Sequence, residues 1–283
     1  MFKNKLQVIV ALIFLGFTFW WLSFQHIVSK QGPSAQWFEG TYGVMALIGA
    51  IVGFLAARKW GGFKTVLGKS LTLFSISLLA QEAGQLIYQY YIYKDKIAIP
   101  YPSLGDIAYF GSVLLYITAS IFLARAVGVK FSLKSNKYKI IAIFVPVALL
   151  ISSYWIFLYH HQYDTSHPIT VFLDFGYPMG QAIYISVASV AYLLSWKMLG
   201  GIMKPGILLI ILGLFVQYVS DFTFVFQSSR GTYIAGKFDD YFYLLAYFVM
   251  TIAMIRFHII YKNLRSKNSS LDSNVTAKNE AVI

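Results

Sequence analysis

Residues 70–92 read SLTLFSISLLAQEAGQLIYQYYI, and this stretch decides the fold. As a helix its 23 residues rise about 35 Å at 1.5 Å per residue, enough to cross a hydrocarbon core of about 30 Å. A soluble helix of that length carries a charged face, whereas this one holds a single ionisable residue, Glu82. Counted from the inner edge, Glu82 lies about 18 Å deep, close to the bilayer midplane. An ionisable group there costs at least ~2.5–3.5 kcal/mol and has to face a bundle interior or a wet cavity. Gln85 and Gln89 share its helical face and Gln81 adjoins it, so the polar side of the stretch turns inward. No Lys or Arg occurs at comparable depth to pair with Glu82.

Working outward, seven more apolar stretches fall near 6–24, 41–57, 105–124, 139–158, 171–195, 206–226 and 240–261. Turn chemistry separates them, as in Gly32-Pro33-Ser34, Gly61-Gly62, Pro100-Tyr101-Pro102-Ser103 and Pro205-Gly206. The apolar content of the 283-residue chain is 58%, against roughly 45–50% in soluble domains. Zero cysteines exclude a disulfide framework, a thiolate metal site and a Cys nucleophile. The net charge of +12 would suit a nucleic-acid binder in a soluble protein, but here it follows topology. With the N-terminus inside, only Lys30, Lys94, Lys96, Arg230 and Lys237 lie outside, leaving 18 of the 23 cations inside. Both termini are therefore expected in the cytoplasm, the chain being multi-pass in the inner (cytoplasmic) membrane with no nucleic-acid partner. The segment 125–139 is the densest basic loop and is a candidate contact for anionic lipid. Beyond 262 the chain turns polar and Ser/Asn-rich, so residues 263–283 are expected to be a disordered cytoplasmic tail.

A pattern recurs at the starts of three stretches: Asp106-Ile-Ala-Tyr109, Gln181-Ala-Ile-Tyr184 and Asp240-Tyr-Phe-Tyr243. Gln81-x-x-x-Gln85 likewise matches Gln217-x-x-x-Asp221. The fold expected is an all-α integral membrane domain over 1–262, with eight transmembrane helices arranged as two leading helices plus three tandem hairpins. The runs YPSLGDIAYF (101–110), FLDFGYPMG (172–180) and GTYIAGKFDDYFYLLAYFVMTIAMIRF (231–257) resemble the multi-pass sensor region that precedes diguanylate cyclase (GGDEF) and histidine-kinase modules in bacteria. That resemblance implies a membrane-embedded input domain without catalysis of its own. Gln181 stands where the family pattern has an acid, and no output module is present, so signalling through a cytoplasmic partner is expected.

The repeat places Gln85 and Asp221 in equivalent positions, which predicts that Glu82, Gln85, Gln217 and Asp221 converge on one polar interior, with Gln181 joining them. Tyr109, Tyr184 and Tyr243, with Tyr88, are expected to line its outward mouth, the usual form of a small-molecule site between bundle helices. A plainer reading makes Glu82 a neutral interhelical tie, and Tyr90, Tyr91, Tyr93 and Tyr101 an interfacial belt. Asp106 fits a capping box with Ser103, and Asp174, Asp239 and Asp240 also sit at helix starts, where the dipole favours negative charge. His160, His161 and His167 lack ligand spacing, so neither a metal nor a cofactor is expected. GxxxG is nearly absent from the apolar runs, and no dimer face is expected. The function this supports is a sensor-like module rather than an enzyme; the alternative is a proton- or cation-coupled transporter or channel using Glu82.

Overall fold

The computed structural model describes residues 4–25, 32–97, 100–127, 136–155, 159, 166–195, 202–229 and 232–280. Among them the chain forms helices and turns and no strand. The helices are α1 (Lys5–Gln25), α2 (Pro33–Thr41), α3 (Val44–Lys59), α4 (Val66–Gln89), α5 (Leu104–Ala126), α6 (Asn136–Ser153), α7 (Pro168–Ser195), α8 (Lys204–Ser229) and α9 (Phe238–Glu280). Five described segments are long and apolar enough to cross a membrane: Lys5–Gln25, Pro33–Lys59, Leu104–Ala126, Lys204–Phe224 and Phe238–Ser266.

Six helices close a ring. Around it, α3 packs on α4, α4 on α5, α5 on α7, α7 on α8, α8 on α9, and α9 back on α3. Outside the ring, α6 leans on α7 and α1 on α9. α1 accordingly leaves Ile9, Leu12, Leu15 and Phe19 exposed, an apolar flank of the kind that faces lipid. α4 has the opposite character, with Ser70, Ser75, Ser77, Gln81, Glu82 and Gln85 all buried. Ser75 and Ser77 donate to Leu71 O and Leu73 O one turn back, and Ser70 donates across to Ala119 O of α5 at 2.8 Å. These bonds satisfy the serine hydroxyls of α4 inside the protein.

Small residues allow close packing of α3. In α3, Gly49 and Gly53 lie against Thr251 and Ser75, where an added Cβ would come within 2.5 and 2.2 Å of a side-chain oxygen. This Gly-x-x-x-Gly stripe joins α3 to its own neighbours α4 and α9. The turn from α3 to α4 uses Gly61 and Gly62 with φ of 89° and 52°, a region L-residues rarely adopt. Thr65 then caps α4 by accepting from Gly68 N at 3.0 Å. At the other end of the bundle Ser103 and Asp106 form the capping box expected at the start of α5.

The backbone of α9 continues to Glu280, beyond the boundary at 262 where composition predicts a disordered tail. An existing helix extends by one hydrogen bond per residue without a new nucleation cost, so a polar continuation can follow an anchored apolar one. Much of the basic loop lies outside the described residues, as do His160, His161 and Asp164.

Candidate functional site

At the end of the ring where α4 finishes and α5, α7 and α9 begin, a narrow cavity of about 60 Å3 opens among five of the ring helices, α4, α5, α7, α8 and α9, and the short α2. Four carboxylates line it: Glu39 from α2, Asp106 from α5, Asp221 from α8 and Asp240 from α9. Seven tyrosines surround them, Tyr42, Tyr88, Tyr101, Tyr109, Tyr177, Tyr233 and Tyr243, with Gln85 and Phe224 completing the wall. No Lys, Arg or His is among the described residues of that lining.

The tyrosines are oriented by the acids. Tyr243 donates to Asp221 Oδ1 at 2.5 Å, and Gln181 Nε2 donates to Asp221 Oδ2. In the first hairpin Tyr109 makes the matching bond, donating to Gln85 Oε1 at 2.8 Å. The same tyrosine-to-preceding-helix bond thus occurs in α4–α5 and in α8–α9, with an amide acceptor in one and a carboxylate in the other. Gly84 leaves room for the ring of Tyr109, since a Cβ there would stand 2.8 Å from it, and Gly105 does the same for Tyr88.

Asp106 serves two functions. Its Oδ2 accepts from the Ser103 amide at 2.7 Å and hydroxyl at 2.9 Å, while its Oδ1 accepts from Tyr177 at 3.0 Å and Tyr88 at 3.3 Å. Tyr101, exposed by 45%, donates to Asp174 Oδ1 at 2.8 Å at the rim. The floor is aromatic: Tyr42 stacks on Tyr243 at 6.1 Å and 4°, lies against Tyr247 at 6.3 Å, and donates to Gln85 Oε1 at 3.1 Å.

On one side Glu39 and Asp240 share a single donor. Tyr233 OH lies 3.0 Å from Glu39 Oε1 and 3.3 Å from Asp240 Oδ1, and one hydroxyl proton serves only one of them at a time. Gly236 N adds a bond to Asp240 Oδ2 at 2.6 Å, helped by a φ of 75° at that glycine. Burial, and then the facing Asp240 and Glu39, push the Tyr233 hydroxyl well above its usual range, so it remains a donor at neutral pH. Next door, both carboxylate oxygens of the fully buried Asp239 have no hydrogen-bond partner. Five carboxyl groups thus stand around or beside the cavity with few hydrogen-bond donors and, among the described lining residues, no basic side chain.

Of the residues predicted from the sequence, Gln85, Asp221, Tyr109 and Tyr243 line the cavity, and Gln181 touches Asp221 from behind. Glu82, Gln217 and Tyr184 do not line it. Glu82 sits one turn inward of Gln85 and turns toward the α2–α3 bend, where a Cβ on Gly43 would fall 2.0 Å from its Oε2, an oxygen left without a partner. Gln217 is enclosed with its side-chain oxygen unpartnered, and Tyr184 packs edge-on to Tyr116 at 5.6 Å in the core. Gln81 ties three helices together, donating to Ser112 at 2.6 Å and accepting from Tyr247 at 3.0 Å. Sequence reasoning missed Glu39, Tyr42, Tyr177, Tyr233 and Asp240 as lining residues and read Tyr101 and Asp106 as belt and cap. Tyr-Pro at 101–102 and 177–178 was the available signal for two of the tyrosines.

No protein-family model matches the chain, and no curated protein or solved structure matches it either.

Proposed function

We propose that the chain is a membrane-embedded, sensor-like module that binds a small organic cation in the tyrosine–carboxylate cavity and passes the bound state to a cytoplasmic partner. In this reading eight helices cross the inner membrane, with both termini inside and the cavity open to the outer side, the side that the cation count leaves poor in Lys and Arg. The observation that carries it is the lining itself: four carboxylates and seven tyrosines without one basic side chain. Aromatic faces attract ammonium groups by about 0.5–2 kcal/mol each, more where water is excluded, and the carboxylates supply the opposite charge.

Size and geometry narrow the class. A water-sized group needs roughly 10–15 Å3 of such space, so a cavity of about 60 Å3 takes a small ammonium group or head and not a drug-sized molecule. Among the described residues no three of His, Asp and Glu come together closely enough to hold a metal ion. Spread charge between aromatic faces suits a diffuse organic cation better than a compact metal.

The test is a titration of the full-length protein in nanodiscs with choline and with its uncharged carbon isostere. Saturable binding of choline at least about tenfold tighter than the isostere is expected, from one cation–π and charge contribution of ~1.4 kcal/mol. Equal binding of the two, or binding of neither, removes the cation reading.

A second reading, a proton- or cation-coupled carrier or channel, is favoured by the unpartnered Oε2 of Glu82 one turn inward of the cavity. It predicts cation uptake into proteoliposomes that Glu82→Gln abolishes. A sensor binds with no uptake in either form.

A further inference from the structure

The opposite end of the bundle carries a second concavity that the proposed function does not use. It encloses about 850 Å3 between the end of α3 and the later turns of α9. Arg58 and Lys59 approach from α3, Lys262 and Arg265 from α9, and Leu55, His258, Tyr261 and Ser266 complete the wall, without an Asp or Glu among the described residues. Lys59 Nζ lies 2.8 Å from His258 Nε2, a contact in which the lysine ammonium donates to the ring nitrogen. The frame is held in place: Trp60 Nε1 donates to Phe257 O at 3.0 Å, and its ring meets Tyr261 edge-on at 5.4 Å.

We infer that this concavity is a binding site for the phosphate group of an anionic phospholipid in the inner leaflet. Arg58, Lys59 and Lys262 converging on one hollow repel one another unless an anion joins them, and arginine with lysine is the donor set that grips phosphate. The wall also has the polarity of a lipid. Cations ring the hollow, Leu55 lines it, and Ile51 continues the exposed apolar stripe of α3 one turn further into the hydrophobic region, where acyl chains would run. Trp60 and Tyr261 mark the depth at which headgroups lie. A free phosphate would use the charges and leave the stripe unused, so the lipid is the source that accounts for both. Topogenic charge alone asks only that cations lie on this side, and places no demand on their converging across two helices.

The experiment is lipid retention by the full-length protein in mild detergent, read by native mass spectrometry after addition of phosphatidylglycerol or phosphatidylcholine. Wild type is expected to retain phosphatidylglycerol in preference to phosphatidylcholine. Arg58→Gln with Lys262→Gln is expected to weaken retention by about thirtyfold, the effect of two charges at a membrane surface. Lys5→Gln with Lys64→Gln removes the same charge from the same side, at exposed positions outside the hollow, and is expected to leave retention unchanged. Inorganic phosphate at millimolar concentration is expected not to displace the lipid. Equal losses in the two double variants would reduce the effect to general surface charge and overturn the site. Displacement by inorganic phosphate would replace the lipid with a free anion, and an absence of lipid preference in wild type would also refute the inference. Both pairs are exposed, and thermal denaturation of each variant checks that the fold persists. Choline binding at the far end is read in the same samples, so failure here leaves the cavity reading standing.

Discussion

The two ends of the bundle differ in charge, in aromatic content and in shape. One end gathers four carboxylates and seven tyrosines around about 60 Å3. The other spreads two arginines and two lysines around about 850 Å3. Orientation rules explain why cations collect at one end, but they do not explain why acids are buried at the other, since Asp and Glu contribute little to topology. Burying a carboxylate is unfavourable unless something meets its charge, and here hydroxyls and amides meet only part of it. The basic end is open, and topology accounts for the sign of its charges though not for their convergence on one hollow. The acidic end is enclosed, and its charges require a chemical reason.

Asp221→Asn makes the largest change to this contrast. The amide keeps the size of the side chain and can still accept from Tyr243, but removes the charge at the cavity wall. Losing one partner of a buried charge pair costs about 2–5 kcal/mol, so choline affinity should fall by at least about thirtyfold in a nanodisc titration, while the acceptor lost to Gln181 lowers the unfolding midpoint only modestly, by about 1 kcal/mol. The inner double variant Arg58→Gln/Lys262→Gln should leave choline affinity as it is. If the inner variant weakens choline binding as much as Asp221→Asn does, the two ends are one electrostatic system and not two sites.

A smaller effect tests stability around Glu82. In Gly43→Ala the new Cβ would sit 2.0 Å from Glu82 Oε2, and the carboxyl has to move out of its niche at the α2–α3 bend. Overpacking of this kind costs about 1–3 kcal/mol and should lower the unfolding midpoint. Gly16→Ala, in the exposed helix α1 with nothing within 4 Å, should be neutral or slightly stabilising. Adding Glu82→Ala to Gly43→Ala should restore part of the loss by clearing the niche. No recovery in the double variant would mean that the carboxyl does not occupy the niche.

How much of this could be read beforehand depended on whether a signal was local. The grouping of Gln85, Asp221, Tyr109 and Tyr243 at one site was legible because the pattern recurs from hairpin to hairpin, though the bonds of Tyr109 to Gln85 and of Tyr243 to Asp221 were not read from it. Glu39 was not legible, because it lies in α2, before the apolar stretch at 41–57, and meets Tyr233 from a place distant in sequence, a tertiary contact with no periodic trace. Asp106 was read as a cap, correctly for one oxygen; a carboxylate has two, and Oδ1 faces Tyr88 and Tyr177. Glu82 shares a face with Gln85, yet the one-turn offset carries it to the α2–α3 bend, so helical spacing alone overstated their convergence. Gly49 and Gly53 were passed over as a packing signal, and they set the approach of α3 to α4 and α9.

The finest comparison lies within the acidic end, between the two equivalent hydrogen bonds. Tyr243→Phe removes a donor to the Asp221 carboxylate and Tyr109→Phe a donor to the Gln85 amide, at 2.5 and 2.8 Å respectively. Hydrogen bonds inside membrane proteins average about 0.6 kcal/mol and reach about 1.7, and a charged acceptor makes the stronger bond. Tyr243→Phe should therefore destabilise the protein by about 1 kcal/mol or more and Tyr109→Phe by about half as much, both read as shifts in the unfolding midpoint. The order is the informative part. Asp221 carries its negative charge only if something supports it there, and Tyr243 with Gln181 are the donors in place. If the two variants are equally destabilised, Asp221 behaves as a neutral acid like the amide of Gln85, and the cavity loses one of the charges that would draw a cation. If Tyr243→Phe costs more, and choline narrows the gap by supplying charge to the same carboxylate, then the repeated hairpin has been made into a cation site by one substitution, an acid at 221 where the first hairpin keeps the glutamine at 85.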